Sequence, residues 1–495
     1  VKTLSALCDF LRLEVSGVAD HSVTRLTIDS RQVDVGTVFV ALPGASCHGM
    51  TFAGQAEQAG ASAILTDAAG LADFDVSGLK CPVYSVPNLQ NRLPDLAKWF
   101  YDDPSRRVKI IGITGTNGKT STSHYIGQLL QSAGYKVALM GTLGNGLIGD
   151  LQPSRNTTLE VLVLNEWLAH FAEQQVDYVV MEVSSHAVSL NRIAGLQFDV
   201  VALTQVTRDH LDFHGSEAGY RAAKKQLFEA YPSRCQVLNL EDETGADLAE
   251  KAHQSILTYA QVAPNADVRL QSVSFQPTGL KGRLKLPVGE CDFDLPLMGG
   301  FNVENLLCAV SCVWCCGLDS GDIQKAVTHL RAVPGRMEVL TRPNQPTVVI
   351  DYAHTPDALQ AVLAAVGQHL PTGQNDLWVV FGCGGDRDKG KRPLMGQVAA
   401  QLSGHVILTD DNPRSESPEA IVADIQAGFD KPADVIHDRE QAITAAIQQA
   451  GPQAVVVVAG KGHEDYQEIN GQRWPMSDQG AVEKAFQSLS RQGEA

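Results

Sequence analysis

The chain has 495 residues, of which 44% are hydrophobic and 19% charged, enough for several domains with a sizeable core. A formal net charge of −17 excludes the broad basic face that nucleic-acid binding needs, yet local lysines and arginines can still grip an anionic substrate. The longest apolar stretch, residues 306–318, is too short for a membrane span, and the first residues show no basic-then-apolar signal, so a cytoplasmic protein with no membrane span is expected.

Three blocks follow from the order of strand and helix signals. In the first, up to about residue 88, short apolar runs at 26–28, 38–42 and 63–65 read as strands. The second has strands at 110–114, 136–140, 178–183, 200–204 and 237–240, alternating with helical segments, which predicts a mostly parallel sheet. Residues 268–297 alternate polar and apolar side chains and predict an antiparallel insertion. Cys308, Cys312, Cys315 and Cys316 recur at the spacing of helical turns with no second Cys or His pair, which predicts a buried helix and no zinc site. The third block starts after Pro334-Gly335-Arg336, with buried strands at 348–350, 378–381, 406–408 and 455–458. Thr355-Pro356-Asp357 and Ser417-Pro418-Glu419 each supply an N-cap, a proline at the first helical position and an acid near the positive helix end. These blocks predict an α/β protein with domains at 1–88, 89–337 and 338–495.

The most specific motif is Gly115-Thr116-Asn117-Gly118-Lys119-Thr120-Ser121, between a buried strand and a run with apolar residues at Tyr125, Ile126, Leu129 and Leu130. Strand, glycine turn and helix form a phosphate cradle, where backbone N–H groups and a helix N-terminus meet an anion. Lys119 would meet the β/γ-phosphates and the Thr120 hydroxyl Mg²⁺, with a solvated turn lysine as the plainer reading. The strict pattern has glycine where this chain has Ile113, so the loop is a contracted variant.

Further polar segments follow strands. Glu182, in Met181-Glu182-Val183-Ser184-Ser185-His186, is either a hard ligand for Mg²⁺ or a helix-capping acid. Thr207-Arg208-Asp209-His210 reads as a charged surface loop or a site in which His210 is a metal ligand or a cap. In the third block, the segments at 351–356, 382–392, 409–414 and 460–465 all follow parallel strands and should converge on one sheet edge. Four such loops, mixing arginine with acids, predict a site for a charged, zwitterionic ligand.

These residues, together with Asn302, Asn305 and Pro334-Gly335-Arg336, occur in the order found in the Mur ligases, the ATP-dependent amide-forming enzymes of peptidoglycan synthesis. The resemblance spans essentially the whole chain. It implies an N-terminal nucleotide-sugar-binding α/β domain, a central P-loop ATPase-like domain and a C-terminal Rossmann-like domain. Asp411-Asn412-Pro413-Arg414 resembles the branch that adds meso-2,6-diaminopimelate to UDP-N-acetylmuramoyl-L-alanyl-D-glutamate. Arginine can hold the second carboxylate of diaminopimelate with two parallel hydrogen bonds, whereas it would repel the ammonium of lysine.

The resemblance also implies residue roles. ATP would meet Gly115, Thr116, Asn117, Gly118, Lys119, Thr120, Ser121, Asn302, Asn305, Arg336, Asp351 and His354. The nucleotide sugar would meet Ile28, Ser30, Ala45, Ser46, Cys47, Asn156, Thr157, Thr158, Ser184 and Arg192. Diaminopimelate would meet Arg387, Asp411, Asn412, Pro413, Arg414, Gly460 and Glu464. Mg²⁺ would be held by Thr120, Glu182, His210 and Lys224, the last as a CO₂-derived carbamate; without the resemblance Lys224 reads as a surface lysine. Lys119, Glu182, His210 and Lys224 would carry the chemistry of a two-step ligation through an acyl phosphate, in a monomer. The alternatives are an L-lysine-adding member, a folylpolyglutamate synthase-like ligase and, from another class, a P-loop kinase or regulatory NTPase.

Overall fold

The computed structural model describes residues 2–13, 21–44, 46–154, 156–207, 209–252, 254–370 and 373–493. The chain divides into two compact units, the first made of residues 1–116, 135–236 and 251–255, the second of 117–134, 237–250 and 256–495.

In the first unit, Arg25–Thr27, Thr37–Ala41, Ala63–Thr66 and Val83–Ser85 form a parallel four-stranded sheet in that order. Its apolar runs are nearly continuous because both faces are buried. Val38, Val40, Ala63 and Leu65 pack with Leu4, Leu7 and Leu96, while Phe39, Ala41 and Ile64 face Met50 and Ala56. The predicted strands at 26–28, 38–42 and 63–65 are therefore present, each shifted by a residue or so at its ends.

A second sheet of this unit has Lys109–Thr114 between Tyr178–Glu182 and Phe198–Leu203, all parallel. Beyond Tyr178–Glu182 come Val137–Gly141 and then Gly144–Leu147 and Asp150–Gln152, which form an antiparallel hairpin. The sequence reading missed that hairpin. Its first strand carries two glycines and no alternating apolar side chains, so nothing marks it locally. The parallel register aligns the carboxyl ends of the strands, so Glu182 lies beside Ile113 at one edge.

In the second unit, Val268–Gln276, Gly279–Lys285 and Glu290–Leu295 form the predicted antiparallel insertion. The helices Lys119–Ser132 and Gly300–Cys315 pack together, and Tyr125, Ile126, Leu129 and Leu130 are buried as their spacing predicts. Cys308 and Cys312 lie one turn apart and are fully buried, as their spacing predicts. The C-terminal sheet has the order Glu338–Leu340, Thr347–Asp351, Val455–Ala459, Leu377–Phe381, His405–Leu408, Asp434–Val435, parallel except at its first strand. Val455, Val456, Val457 and Val458 are fully buried on alternating faces, each contributing about 1.5–3 kcal/mol relative to exposure. Thr355 and Ser417 cap their helices through their hydroxyls, with Pro356 and Pro418 in the first turn. All four predicted polar loops leave the carboxyl ends of parallel strands and so share one edge.

Candidate active site

The phosphate loop begins where Lys109–Thr114 ends. Ile113, the position at which the strict pattern has glycine, is fully buried inside that strand, in register with Glu182 and Ala202. The sheet core takes its side chain, and the turn is compressed into residues 115–118. Gly115 is tightly enclosed: a Cβ there would lie 1.8 Å from Thr204 Oγ1. Gly118 has φ +82° at the N-cap position, and the helix Lys119–Ser132 starts immediately after it. The loop is braced by Thr116, whose backbone N–H donates to the Gln205 carbonyl at 2.6 Å and whose hydroxyl reaches the Thr207 carbonyl and Tyr220 Oη at 3.1 and 3.0 Å.

Lys224 is 1% exposed, on the buried face of Glu217–Glu229, whereas Lys225 is only partly buried. Its Nζ donates to the Gly115 carbonyl at 2.7 Å and lies 4.6 Å above the Tyr220 ring. The residue chosen by its motif is thus in contact with the loop. His210 is half exposed, with φ +49°, at the start of Leu211–His214, and its ring lies edge-on to His186 at 4.8 Å. Arg208 lies outside the described residues.

Glu182 is 2% exposed at the end of its strand. Its Oε1 accepts the Thr142 N–H at 2.9 Å and its Oε2 the Thr142 hydroxyl at 3.2 Å. Gly141 makes room for this carboxylate, since a Cβ there would lie 2.2 Å from Oε1. Thr158 donates its hydroxyl to the Glu182 carbonyl at 2.9 Å and accepts the Ser184 N–H at 3.0 Å. Arg192 donates to the Thr158 carbonyl at 3.2 Å and pairs with Glu160 at 2.7 Å, leaving a buried Nε without a partner among the described residues. The Thr157 hydroxyl lies 3.2 Å from that of Thr142. Glu182, Thr157, Thr158, Ser184 and Arg192, drawn from two sequence segments, therefore form one cluster. Thr142, which ties it together, carries no signal in the sequence.

Ser30 is buried at the start of a short 3₁₀ turn capped by Asp29, and Ile28 packs against the N-terminal core. Ser46 and Cys47 are exposed in a turn closed by the Gly44 N–H on the Cys47 carbonyl at 3.0 Å. Asn156 is exposed, its carbonyl accepting from the Ser154 hydroxyl at 2.8 Å. Ala45 lies outside the described residues.

Asn302 and Asn305 are buried against the phosphate-loop helix. Tyr125 Oη donates to Asn302 Oδ1 at 3.0 Å, Asn305 Nδ2 donates to the same oxygen at 3.1 Å, and the Thr122 hydroxyl donates to Asn305 Oδ1 at 3.3 Å. Asp351 is also a brace: its oxygens accept the N–H groups of Met337 and Ala353, both at 2.8 Å. Burial raises its pKa, and the Met337 N–H and nearby Arg336 oppose that rise. Arg336 lies over the Tyr352 ring at 5.8 Å with a buried Nε that has no partner among the described residues. His354 is exposed, with Nδ1 2.8 Å from the Tyr352 carbonyl oxygen.

At the edge of the C-terminal sheet lie most of the residues expected to meet a zwitterionic ligand. Arg414 has φ +52°, and its side chain donates to Glu468 at 3.2 Å and to the Gly385 carbonyl at 2.8 Å. Its Nη2 has no protein partner among the described residues. Asn412 donates to Glu464 at 3.0 Å, and Gly460, with φ +116°, runs beside Asp411. Pro413 presses its carbonyl against Gly385, where a Cβ would lie 1.9 Å away. Arg387 is the exception: it is exposed and donates to the Asp386 carbonyl at 3.3 Å. Two residues given no role in the sequence support the loops. Arg392, fully buried, bridges Glu416 at 2.9 Å and Asp424 at 2.8 Å and donates to the Gly384 carbonyl at 3.2 Å. Its hydrogen bond, with help from the Asp386 N–H, holds the Glu416 carboxyl down at about 2. Lys461 is likewise fully buried among Asp411, Asn412 and Glu464. A lysine in a glycine-rich loop reads as solvated, and only the tertiary fold reveals its burial.

Known proteins resemble the chain along its length. The Mur ligase family catalytic domain matches residues 22–101, the Mur ligase middle domain 113–313, and the Mur ligase glutamate ligase domain 335–462. A UDP-N-acetylmuramoyl-L-alanyl-D-glutamate–2,6-diaminopimelate ligase of Alkalilimnicola ehrlichii is 43% identical, over 96% of this chain and 97% of its own. The protein of the same name from Ectopseudomonas mendocina is 44% identical, over 92% and 93%. A solved structure of a ligase with this name is 35% identical and superimposes with a TM-score of 0.73, covering 98% of this chain and 99% of its own.

Proposed function

The chain belongs to the Mur ligase family, and on that premise we propose that it joins meso-2,6-diaminopimelate to UDP-N-acetylmuramoyl-L-alanyl-D-glutamate at the expense of ATP. It is an ATP-dependent amide-forming ligase of peptidoglycan synthesis, with α/β domains at its N-terminus, middle and C-terminus, which we divide at 1–88, 89–337 and 338–495. In this reading it works as a monomer in the cytoplasm; no helix among the described residues is long and apolar enough to cross a membrane.

The observation that carries the choice of amino acid is Arg414. Two of its donor nitrogens are fixed by Glu468 and Gly385, and Nη2 is left to a carboxylate. Diaminopimelate has that carboxylate at its far end and lysine does not. Glu464, Asp411 and Asn412 would take the neighbouring ammonium, with Gly460 admitting it closely and Pro413 setting the turn. Arg387, being exposed, is free to swing to the substrate.

The γ-carboxylate of the D-glutamate attacks the γ-phosphorus of ATP, giving an acyl phosphate and ADP. The diaminopimelate amine then adds to the acyl carbon, and the tetrahedral intermediate expels phosphate. Residues 115–121 cradle the phosphates, and Lys119 offsets their charge as the phosphoryl group moves. Asn302 and Asn305 hold the helix that carries Lys119, and Arg336, Asp351 and His354 border the nucleotide. Ile28, Ser30, residues 45–47, Asn156, Thr157, Thr158, Ser184 and Arg192 orient the nucleotide sugar; the buried Nε of Arg192, without a partner among the described residues, supports an anion there.

The donors present fit Mg²⁺, which prefers hard oxygens and substrate phosphates: Glu182 is a buried carboxylate, and Thr120 lies in the first turn of the loop helix. Thr120, Glu182, His210 and a carbamate on Lys224 would hold it, and when bound it would neutralise phosphate charge. Contact between Lys224 and the loop carbonyl supports its part in the phosphate site.

The decisive experiment measures ADP release with the UDP-muramoyl dipeptide and either meso-diaminopimelate or L-lysine. Release is expected only with both the dipeptide and diaminopimelate. Equal turnover with L-lysine would overturn the choice of amino acid, and release with neither acceptor would point to an NTPase.

A further inference from the structure

Lys461 has a fully buried side chain, and its ammonium faces three oxygens: Asn412 Oδ1 at 3.0 Å, Asp411 Oδ1 at 3.4 Å and Glu464 Oε2 at 3.4 Å. An ammonium has three N–H donors, so these contacts use all of them. The Tyr466 ring lies 5.7 Å from Nζ, closing the remaining side. Asn412 is oriented as a result. Its Oδ1 also accepts the Glu468 N–H at 2.9 Å, so its Nδ2 must turn to Glu464, 3.0 Å away. Glu468 is also the partner of Arg414. Lys461 thus lies behind both halves of the site proposed for the far end of the amino acid.

The charges point the same way. Asp411 and Glu464 contribute two negative charges and Lys461 one positive charge, so the cluster has a net charge of −1. Tyr352, whose hydroxyl donates to Glu464 at 3.5 Å, adds no charge; of the cations around the cluster, Arg439 is paired with Asp478 at 2.7 Å and Arg414 with Glu468 at 3.2 Å. A net charge of −1 matches one substrate ammonium. Without Lys461, two buried carboxylates would face each other and Asn412 would lose one of the two contacts that fix its amide.

We propose that Lys461 is a positioning residue for amino-acid selection: it sets the ammonium pocket to one negative charge and locks Asn412 and Glu464 in their receiving orientation. This rests on the diaminopimelate-ligase reading above. Lys461 acts through these neighbours and takes no part in phosphoryl or acyl transfer.

The test is steady-state kinetics on the full chain with Lys461→Met and with the conservative variant Lys461→Arg, which keeps the positive charge. With Lys461→Met the KM for meso-diaminopimelate should rise at least ~30-fold, the scale for stripping one partner from a buried charge pair, while kcat at saturation and the KM values for ATP and the UDP-dipeptide stay within about threefold. Lys461→Arg should recover part of that loss, with a diaminopimelate KM at least ~5-fold below that of Lys461→Met. A merely structural role would move kcat and all three KM values together. A methionine variant with wild-type KM, a loss confined to kcat, or an arginine variant no better than the methionine one would each overturn the proposal. If Lys461→Met does not fold, Lys461→Arg decides alone: a shift confined to the diaminopimelate KM supports the positioning role, and unaltered or uniformly altered constants overturn it. Wild-type turnover without need of diaminopimelate would overturn the underlying reading, and the charge match with it, so the two failures are distinguishable.

Discussion

Replacing Arg414 by alanine tests the proposed substrate most directly. The backbone at this position is independent of the side chain: its N–H donates to the Glu468 carbonyl at 3.0 Å and its carbonyl accepts the Asn470 N–H at 2.7 Å. Its φ of +52° is left-handed, and alanine bears the same Cβ penalty as arginine there, so no new backbone strain enters. The fold loses a partly exposed ion pair with Glu468 and a hydrogen bond to the Gly385 carbonyl, together worth about 1–2 kcal/mol. The substrate loses far more, because its far carboxylate is left without a counter-charge, at about 2–5 kcal/mol. That converts to a drop of roughly 30-fold to several thousand-fold in kcat/KM for meso-diaminopimelate. Kinetics should show this as a raised KM, with ATP and UDP-dipeptide parameters unchanged, and L-lysine, which has no second carboxylate, should be used no worse than by wild type. Unchanged kinetics with diaminopimelate would refute the assignment of Arg414.

Four further outcomes are expected. Gly141→Ala would put a methyl group into the Glu182 carboxylate, so the Mg²⁺ concentration for half-maximal activity should rise about 10- to 100-fold; an unaltered Mg²⁺ titration would exclude Glu182 as a ligand. Asn305→Ala removes the acceptor of the Thr122 hydroxyl and the donor to Asn302, and should lower stability by about 1–3 kcal/mol in denaturant unfolding. Glu304 is lifted by burial from an ordinary 4.5 to about 7, so the folded chain keeps a proton that the unfolded chain has released; stability is lost as pH rises from 4.5 to 7. Glu304→Gln should therefore stabilise increasingly across that window and level off above it, and a thermal-shift series showing a constant offset would contradict this. Carbon-13 bicarbonate should give a carbamate NMR signal in wild type that is absent from Lys224→Ala; its absence from both would remove the carbamate from the scheme.

Most elements were legible because both faces of the parallel sheets are buried, and such strands read as short apolar runs such as Val455-Val456-Val457-Val458. The helix starts at Thr355 and Ser417 were legible because capping is local chemistry. The hairpin at 144–152 was not, because its pairing partner, Val137–Gly141, supplies the apolar content that it lacks. In the site, the loop residues were named from motifs, but their supports were hidden. Thr142 fixes Glu182 across 40 positions of sequence, and Arg392 reaches Glu416 and Asp424. Polar residues paired at long range are indistinguishable in sequence from solvated ones. Asn302 and Asn305 show the converse: their motif marked them for the nucleotide, while the fold reveals that they clamp the phosphate-loop helix.

The division of labour around Arg392 bears on how selectivity can evolve. The two loops that frame Arg414 are secured by the fully buried Arg392 guanidinium, by the close seating of Gly385 on Pro413, by main-chain bonds at Arg414 itself and by one side-chain hydrogen bond from Arg414 to the Gly385 carbonyl. Only the last depends on which side chain position 414 carries. The scaffold thus behaves as a socket whose contact pin can be exchanged without refolding the housing. A lineage could drift from one diamino acid to another through one codon, with neither a disordered intermediate nor a compensating change in the core.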